Sequence, residues 1–355
     1  MQSTPNLSAN PRIKSFNGLK VIAVLLIIIC HLGLLARFNF CHRMVEVLFV
    51  LSGFCMAYNH YMDNSPNTII TGFEIIKQKL PRFYPLHVLT FMLQALFVST
   101  WSQKSLEYLC SVGLLNLTLQ QAWFSALQFS YNNVSWFLSA LIFCYFITPC
   151  LRELGHVSQA RHRLLTLFLG VICIRFYMEY MRENHSRQIW YDLHANPLIQ
   201  GLNYTLGYIS GIVYISSNKI NSLLKEKLSS PETTLLEVLF IGLYLTCCYT
   251  LKDDMYRVFF VILSILPIYI LALDKGIISH LLSGKILTFL STITLEIFMF
   301  HSFILYHYPH QYGNTIYYLT FGTLVLSTSA LYHIIWKKIY LQIKQKDKKS
   351  CYSHQ

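Results

Sequence analysis

The feature that most limits what this chain can become is a succession of long apolar stretches separated by short polar segments that hold most of its charge. About 20 apolar residues, at about 1.5 Å of helical rise each, cover a bilayer core about 30 Å thick. Ten stretches of this kind lie near residues 19–37, 44–61, 83–101, 134–151, 164–180, 196–216, 235–250, 256–273, 286–306 and 315–336. They are too long and too continuously apolar for the alternating segments of about ten residues that build a membrane β-barrel. Composition agrees: only 12% of residues are charged and 54% are hydrophobic, whereas a soluble domain carries about 25% charged residues. The expected fold is all-α, a polytopic membrane helical bundle of about ten transmembrane helices.

Charge placement supplies an orientation. With both the N- and C-termini cytoplasmic, the inner segments receive Arg12, Lys14, Lys20, Lys77, Lys79, Arg82, Arg152, Arg161, Arg163, Lys219, Lys225, Lys227, Lys275, Lys285 and the six lysines between Lys337 and Lys349. Outer segments receive only Arg37, Arg43, Lys104, Arg182, Arg187, Lys252 and Arg257, and Arg175 falls inside a stretch. That bias follows the positive-inside rule. The apolar segment Leu106–Leu119 is short, and counting it as a span would turn Arg152, Arg161 and Arg163 outward, so it is expected to be re-entrant or interfacial. The chain then divides into a cytoplasmic segment 1–18, a membrane domain 19–336 and a basic cytoplasmic tail 337–355. The first stretch is expected to be retained rather than cleaved, because no small-residue cleavage site follows its apolar core.

The net charge of +12 needs no nucleic-acid partner, because a basic face beside anionic membrane lipid accounts for it. The ten cysteines stand singly or as Cys247-Cys248, mostly inside apolar stretches. This suits small buried side chains better than a disulfide frame or zinc site, and no structural disulfide is expected. His, Cys and carboxylates do not cluster at ligand spacing, so no metal is implied.

Chemistry is expected where the membrane makes polar groups costly. An ionisable side chain at bilayer depth costs a few kcal/mol even on the lenient insertion scale, so each one is a functional candidate. His31 lies eleven residues beyond Lys20, about 16 Å along a helix. There an imidazole can act as general base or nucleophile, the structural alternative being a histidine hydrogen-bonded between helices. Glu46 is a second candidate, either positioning His31 and acceptor hydroxyls or pairing with Arg43. Glu296 must be neutralised in mid-span, with His301 or Lys285 as candidate partners. Arg175 and Glu179, one turn apart, read as an intrahelical pair.

Several motifs together carry a resemblance. In RIKSFNGLKVIAVLLIIICH, Lys20 is followed by ten residues and then His31. VEVLFVLSGF contains Ser52 and Gly53. Lys79-Leu80-Pro81-Arg82 precedes FYPL. Trp136-Phe137-Leu138-Ser139 continues through Tyr145 to Pro149, and TLEIFMFH ends on His301. In order and spacing the chain resembles the acyltransferase-3 family of integral membrane acyltransferases, which includes O-acetyltransferases of surface polysaccharides. It departs from the family pattern in Lys20 and Lys79, where arginine is commoner, in Leu141, where many members have glutamate, and in Phe298, where tyrosine is usual.

The resemblance implies acyl transfer from a cytoplasmic acyl-CoA co-substrate, with no bound cofactor, to a hydroxyl of a lipid-linked or surface glycan, in the bacterial inner membrane. His31 and Glu46 become the expected catalytic residues. Lys20, Lys79, Arg82, Ser52, Trp136, Glu296 and His301 become the expected substrate-binding ones. Lys79 and Arg82 suit the phosphates of CoA. Trp136 either stacks on a ligand or anchors at the interface, and Ser52 and Gly53 also suit close helix packing. The rival reading is a transporter or flippase of a lipid-linked glycan, against which stands the absence of inverted sequence halves.

Overall fold

A computed structural model describes residues 11–60, 69–97, 105–157, 161–184, 194–251, 256–308 and 313–353. Among these residues there are fourteen α-helices and no strand. They are α1 (Ser15–His31), α2 (Phe40–His60), α3 (Ile69–Phe97), α4 (Leu106–Leu117), α5 (Trp136–Val157), α6 (Arg161–Asn184) and α7 (Pro197–Ser216). After these come α8 (Asn218–Lys227), α9 (Ser230–Thr250), α10 (Arg257–Leu271), α11 (Ile277–Leu282), α12 (Lys285–Thr292), α13 (Thr294–His307) and α14 (Thr315–Ser353).

Each of the ten apolar stretches contains a helix over most of its described residues, but length and apolarity alone qualify five helices to cross a membrane, or six if α12 and α13 count as one. The remaining four of the expected ten are α1, α3, α7 and α10, which are shorter or more polar. In α7 the reason is position. Gln200, Asn203, Tyr204 and Tyr208 on this helix are all buried, so neighbouring helices rather than lipid face them and the helix need not be apolar. The doubtful segment is α4, whose twelve residues reach about 18 Å, too short to cross.

Helix α2 packs against α1, α5, α7 and α10, and among the described residues its crossing with α7 is the most extensive. Small residues make that approach possible. A Cβ at Gly53 would collide with the backbone carbonyl of Tyr204, and one at Gly207 with that of Val50. This is the close packing expected when lipid supplies no hydrophobic drive between helices.

Local chemistry sets several helix ends. Ser229 and Glu232 form a reciprocal capping box at the start of α9, and Asn196 caps α7 with Pro197 in its first turn. Glu237 on α9, fully buried, accepts the N–H groups of Ile278 at 2.9 Å and Ser279 at 3.3 Å together with the Ser279 hydroxyl. It thereby satisfies the exposed donors at the start of α11.

Three expectations change. Helix α3 starts at Ile69 rather than near residue 83, so Lys77, Lys79 and Arg82 stand on the helix itself. The stretch 286–306 is not one rod, because α12 and α13 meet at 64° across Ile293. The basic tail continues α14 as helix through Ser353.

Candidate functional site

Two groups of polar residues lie at opposite ends of α1. At its start, α1, α2, α3 and α5 surround a cavity of about 360 Å³. Arg12, Lys20, Lys79 and Arg82 line it, beside Ser52, Tyr58 and Tyr145, and no carboxylate is among its lining residues. Lys79 and Arg82 are three residues apart on α3 and so share a face. Arg82 is exposed and Lys20 and Lys79 are half-buried, which leaves their charges available to a ligand. Arg12 is steadied by a 2.8 Å hydrogen bond to Asn17, and the Tyr58 hydroxyl donates to the Pro11 carbonyl at 2.9 Å. Four cations with no carboxylate among the described lining residues make this a place for an anion, and arginine's fork favours phosphate oxygens.

His31 is the last residue of α1. Its Nδ1 lies 3.0 Å from Nε2 of His301 on α13, and Nδ1 of His301 lies 2.6 Å from the Phe298 carbonyl oxygen. The ring centroids are 5.3 Å apart with planes 10° off parallel, the spacing of two rings joined edge to edge rather than piled face to face.

This chain of contacts dictates proton positions. A carbonyl only accepts, so Nδ1 of His301 carries the proton and, in the neutral ring, Nε2 is the acceptor. His31 must then donate from Nδ1, which leaves the lone pair of its Nε2 uncommitted. His301 is fully buried, while the His31 residue is exposed. Asn132 and Asn133, just before α5, hold this part of α13: Asn132 donates to the Met299 carbonyl at 3.4 Å, and the Ser302 hydroxyl donates to Asn133 at 3.2 Å. A directed imidazole with a fixed tautomer is the arrangement of a general base or a nucleophile.

Also at this end, between the first turns of α2 and α7, the second half of α6 and the start of α10, lies a buried charged cluster. Arg43 is 3.7 Å from Glu46 and its guanidinium sits 3.9 Å over the Phe260 ring. Arg175 pairs with Glu179 as expected and donates to Asn203 at 3.3 Å. His194 meets His42 at a ring-centroid distance of 4.3 Å and Trp136 at 4.8 Å. All four charged groups are at most 2% exposed, so they stabilise one another rather than face a ligand.

The structure thus gathers Lys20, Lys79, Arg82 and Ser52 in one cavity, and His31 and His301 in one pair, and it departs from expectation elsewhere. Glu46 pairs with Arg43 instead of reaching His31, and His301 takes the place beside that ring. His301, expected to bind substrate, is fully buried and lies against His31. Trp136, 5% exposed, is neither an interfacial anchor nor an open platform; it packs on Phe49, Phe137 and His194. Glu296 is met by His333 of α14 at 2.9 Å, not by His301 or Lys285. The rule that singled out Glu296, an ionisable group in an apolar stretch, applied equally to His333 and would have found it.

An all-α membrane bundle with a cationic cavity at one end of a helix and a directed histidine at the other defines the class of protein. A family model described as an acyltransferase domain matches residues 13–333, and the chain belongs to the acyltransferase-3 family. It is a membrane acyltransferase. Neither a curated protein nor a solved structure matches it. His31, His301, Lys20, Lys79 and Arg82 all lie within the matched stretch.

Proposed function

We propose that this protein transfers an acetyl group from cytoplasmic acetyl-CoA to a hydroxyl of a lipid-linked or surface glycan, as a multi-pass protein of the bacterial inner membrane. The observation that carries the reading is that α1 alone joins the cationic cavity to the free Nε2 of His31. Eleven residues separate Lys20 from His31, about 16 Å, a gap that the extended pantetheine arm of CoA suits. The basic end is then cytoplasmic, as the positive-inside rule requires, and the glycan comes to the far end.

Lys20, Lys79, Arg82 and Arg12 hold the CoA phosphates. His31 Nε2 takes the proton of the acceptor hydroxyl as its oxygen attacks the thioester carbonyl. The carbon–sulfur bond breaks, and the proton leaves with the CoA thiol. Alternatively the same nitrogen attacks first, carries the acetyl group as an acyl-imidazole and yields it to the hydroxyl. In both routes His301 accepts from His31 Nδ1–H and so holds the ring while Nε2 works.

The test is release of free CoA thiol from acetyl-CoA by membrane vesicles containing the protein. Release that depends on added glycan and vanishes in His31→Ala supports the reading. Glycan-dependent release that persists in His31→Ala removes His31 from the mechanism, and transport of the glycan without thiol release favours the flippase instead.

A further inference from the structure

The residue before the catalytic histidine is a cysteine, and the helix that follows begins with another. Cys30 closes the last turn of α1 beside His31, and Cys41 lies in the first turn of α2. Their thiols lie close enough to interact with each other. Cys41 Sγ also lies 3.9 Å from the carbonyl of Ile27, one turn before Cys30. Thus α2 begins against the final turn of α1, sulfur beside sulfur. The connection between them is tightly folded, with Gly33, Leu35 and Asn39 all in the left-handed region. Both cysteines are half-buried, open enough for exchange with an oxidant. By contrast Cys247 and Cys248 are adjacent on α9 and so face different sides of it.

We propose that Cys30 and Cys41 form a disulfide that staples the His31-bearing end of α1 to the start of α2. The proposal rests on the orientation given above, which puts this end on the outer, oxidising side, where disulfides persist. The oxidant is a disulfide, either of an extracytoplasmic thiol oxidase or of a small molecule. One thiolate attacks it and releases one thiol, and the second thiolate then attacks the mixed disulfide and releases the other. Two electrons pass to the oxidant and two cysteine protons are lost. The bond closes the loop around residues 32–39, limits fraying of the last turn of α1, and so holds His31 against His301.

The experiment uses the full chain, with thiols blocked by maleimide in denaturant when cells are harvested. Trypsin cleavage after Lys20, Arg37 and Arg43 leaves Cys30 and Cys41 on separate peptides, 21–37 and 38–43. Without reductant these two peptides should be recovered joined, about 2 Da lighter than their sum, and after reduction both should label. In Cys30→Ala, Cys41 should label without reductant. Equal labelling of both cysteines with and without reductant, or a Cys41 that stays blocked in Cys30→Ala, overturns the proposal. Detergent-purified, reduced protein is then treated with oxidised glutathione, an arm that has no sides and so tests the geometry apart from the orientation. Re-formation of the joined peptides is expected, and glutathione adducts alone on each cysteine would mean that the sulfurs cannot meet. Joined peptides in the purified arm but free thiols in cells would overturn the bond as a native one.

Discussion

The two ends of α1 solve opposite problems. At the basic end, Arg12, Lys20, Lys79 and Arg82 border open space with no carboxylate among the lining residues, so their charge is kept for something that arrives. At the far end, Arg43, Glu46, Arg175 and Glu179 are almost wholly enclosed and spend their charge on one another, while the His31 residue is exposed. Desolvated charges are tolerable when paired, and exposed like charges are tolerable when water screens them. Under the proposed function, the difference separates residues that bind from residues that hold others in place, and it assigns a different kind of mutational effect to each end.

The comparison breaks most visibly at His31. An aliphatic side chain cannot take a proton, so His31→Ala should lower turnover by about 10²–10⁴-fold, with membrane level and the KM for acyl-CoA unchanged. A parallel change in donor KM would mean that the ends are not separate. His301→Ala should come next. It leaves Nε2 of His31 chemically intact but releases the tautomer and the ring, so a fall in kcat of about 10- to 100-fold is expected, the range for losing the partner that orients a functional imidazole. His301→Gln, which still offers an acceptor, should recover part of it. Equal activity of both variants would make His301 a packing residue.

The basic end should respond in the other parameter. Arg82 is exposed, so its contact with phosphate is worth the lower end of about 1.5–3 kcal/mol for a charged hydrogen bond. Arg82→Ala should raise the donor KM about tenfold at unchanged kcat, less at high salt, and Arg82→Lys should restore it in part. A fall in kcat with KM unmoved would place Arg82 on the chemical step and undo the division of labour.

What was legible in the sequence follows the same division. Helix positions, the short α4 and the cavity cations could be read, because apolar length and charge placement are written along one dimension. The partner of His31 could not. His301 lies 270 residues away, and choosing it over Glu46 requires knowing that Arg43, three residues along the same helix, already holds that carboxylate. The start of α3 was misplaced because apolarity marks the lipid-facing part of a helix, not its hydrogen-bonded length. The α12–α13 bend and the small-residue seam of α2 on α7 depend on packing that no single stretch encodes. The motif that contains Trp136 suggests a ligand, and its packing on Phe49, Phe137 and His194 depends on neighbours the motif does not encode.

Trp136 supplies the smallest and most discriminating effect. Its ring stands 4.8 Å from His194 and packs with Phe49 and Phe137, with too little surface open to stack on a sugar or an adenine. If it belongs to the enclosed end, phenylalanine should preserve the aromatic packing at the cost of a small void. A loss of about 1 kcal/mol in stability is then expected, as for other near-conservative core exchanges. Both substrates should keep their KM, since the cationic cavity and the His31 nitrogen are untouched. The measurement is thermal unfolding of the purified variant beside initial rates at varied acetyl-CoA and varied glycan. An unaltered melting midpoint with a several-fold rise in either KM would put Trp136 on a ligand surface, and the far end would then be a binding site as well as a scaffold.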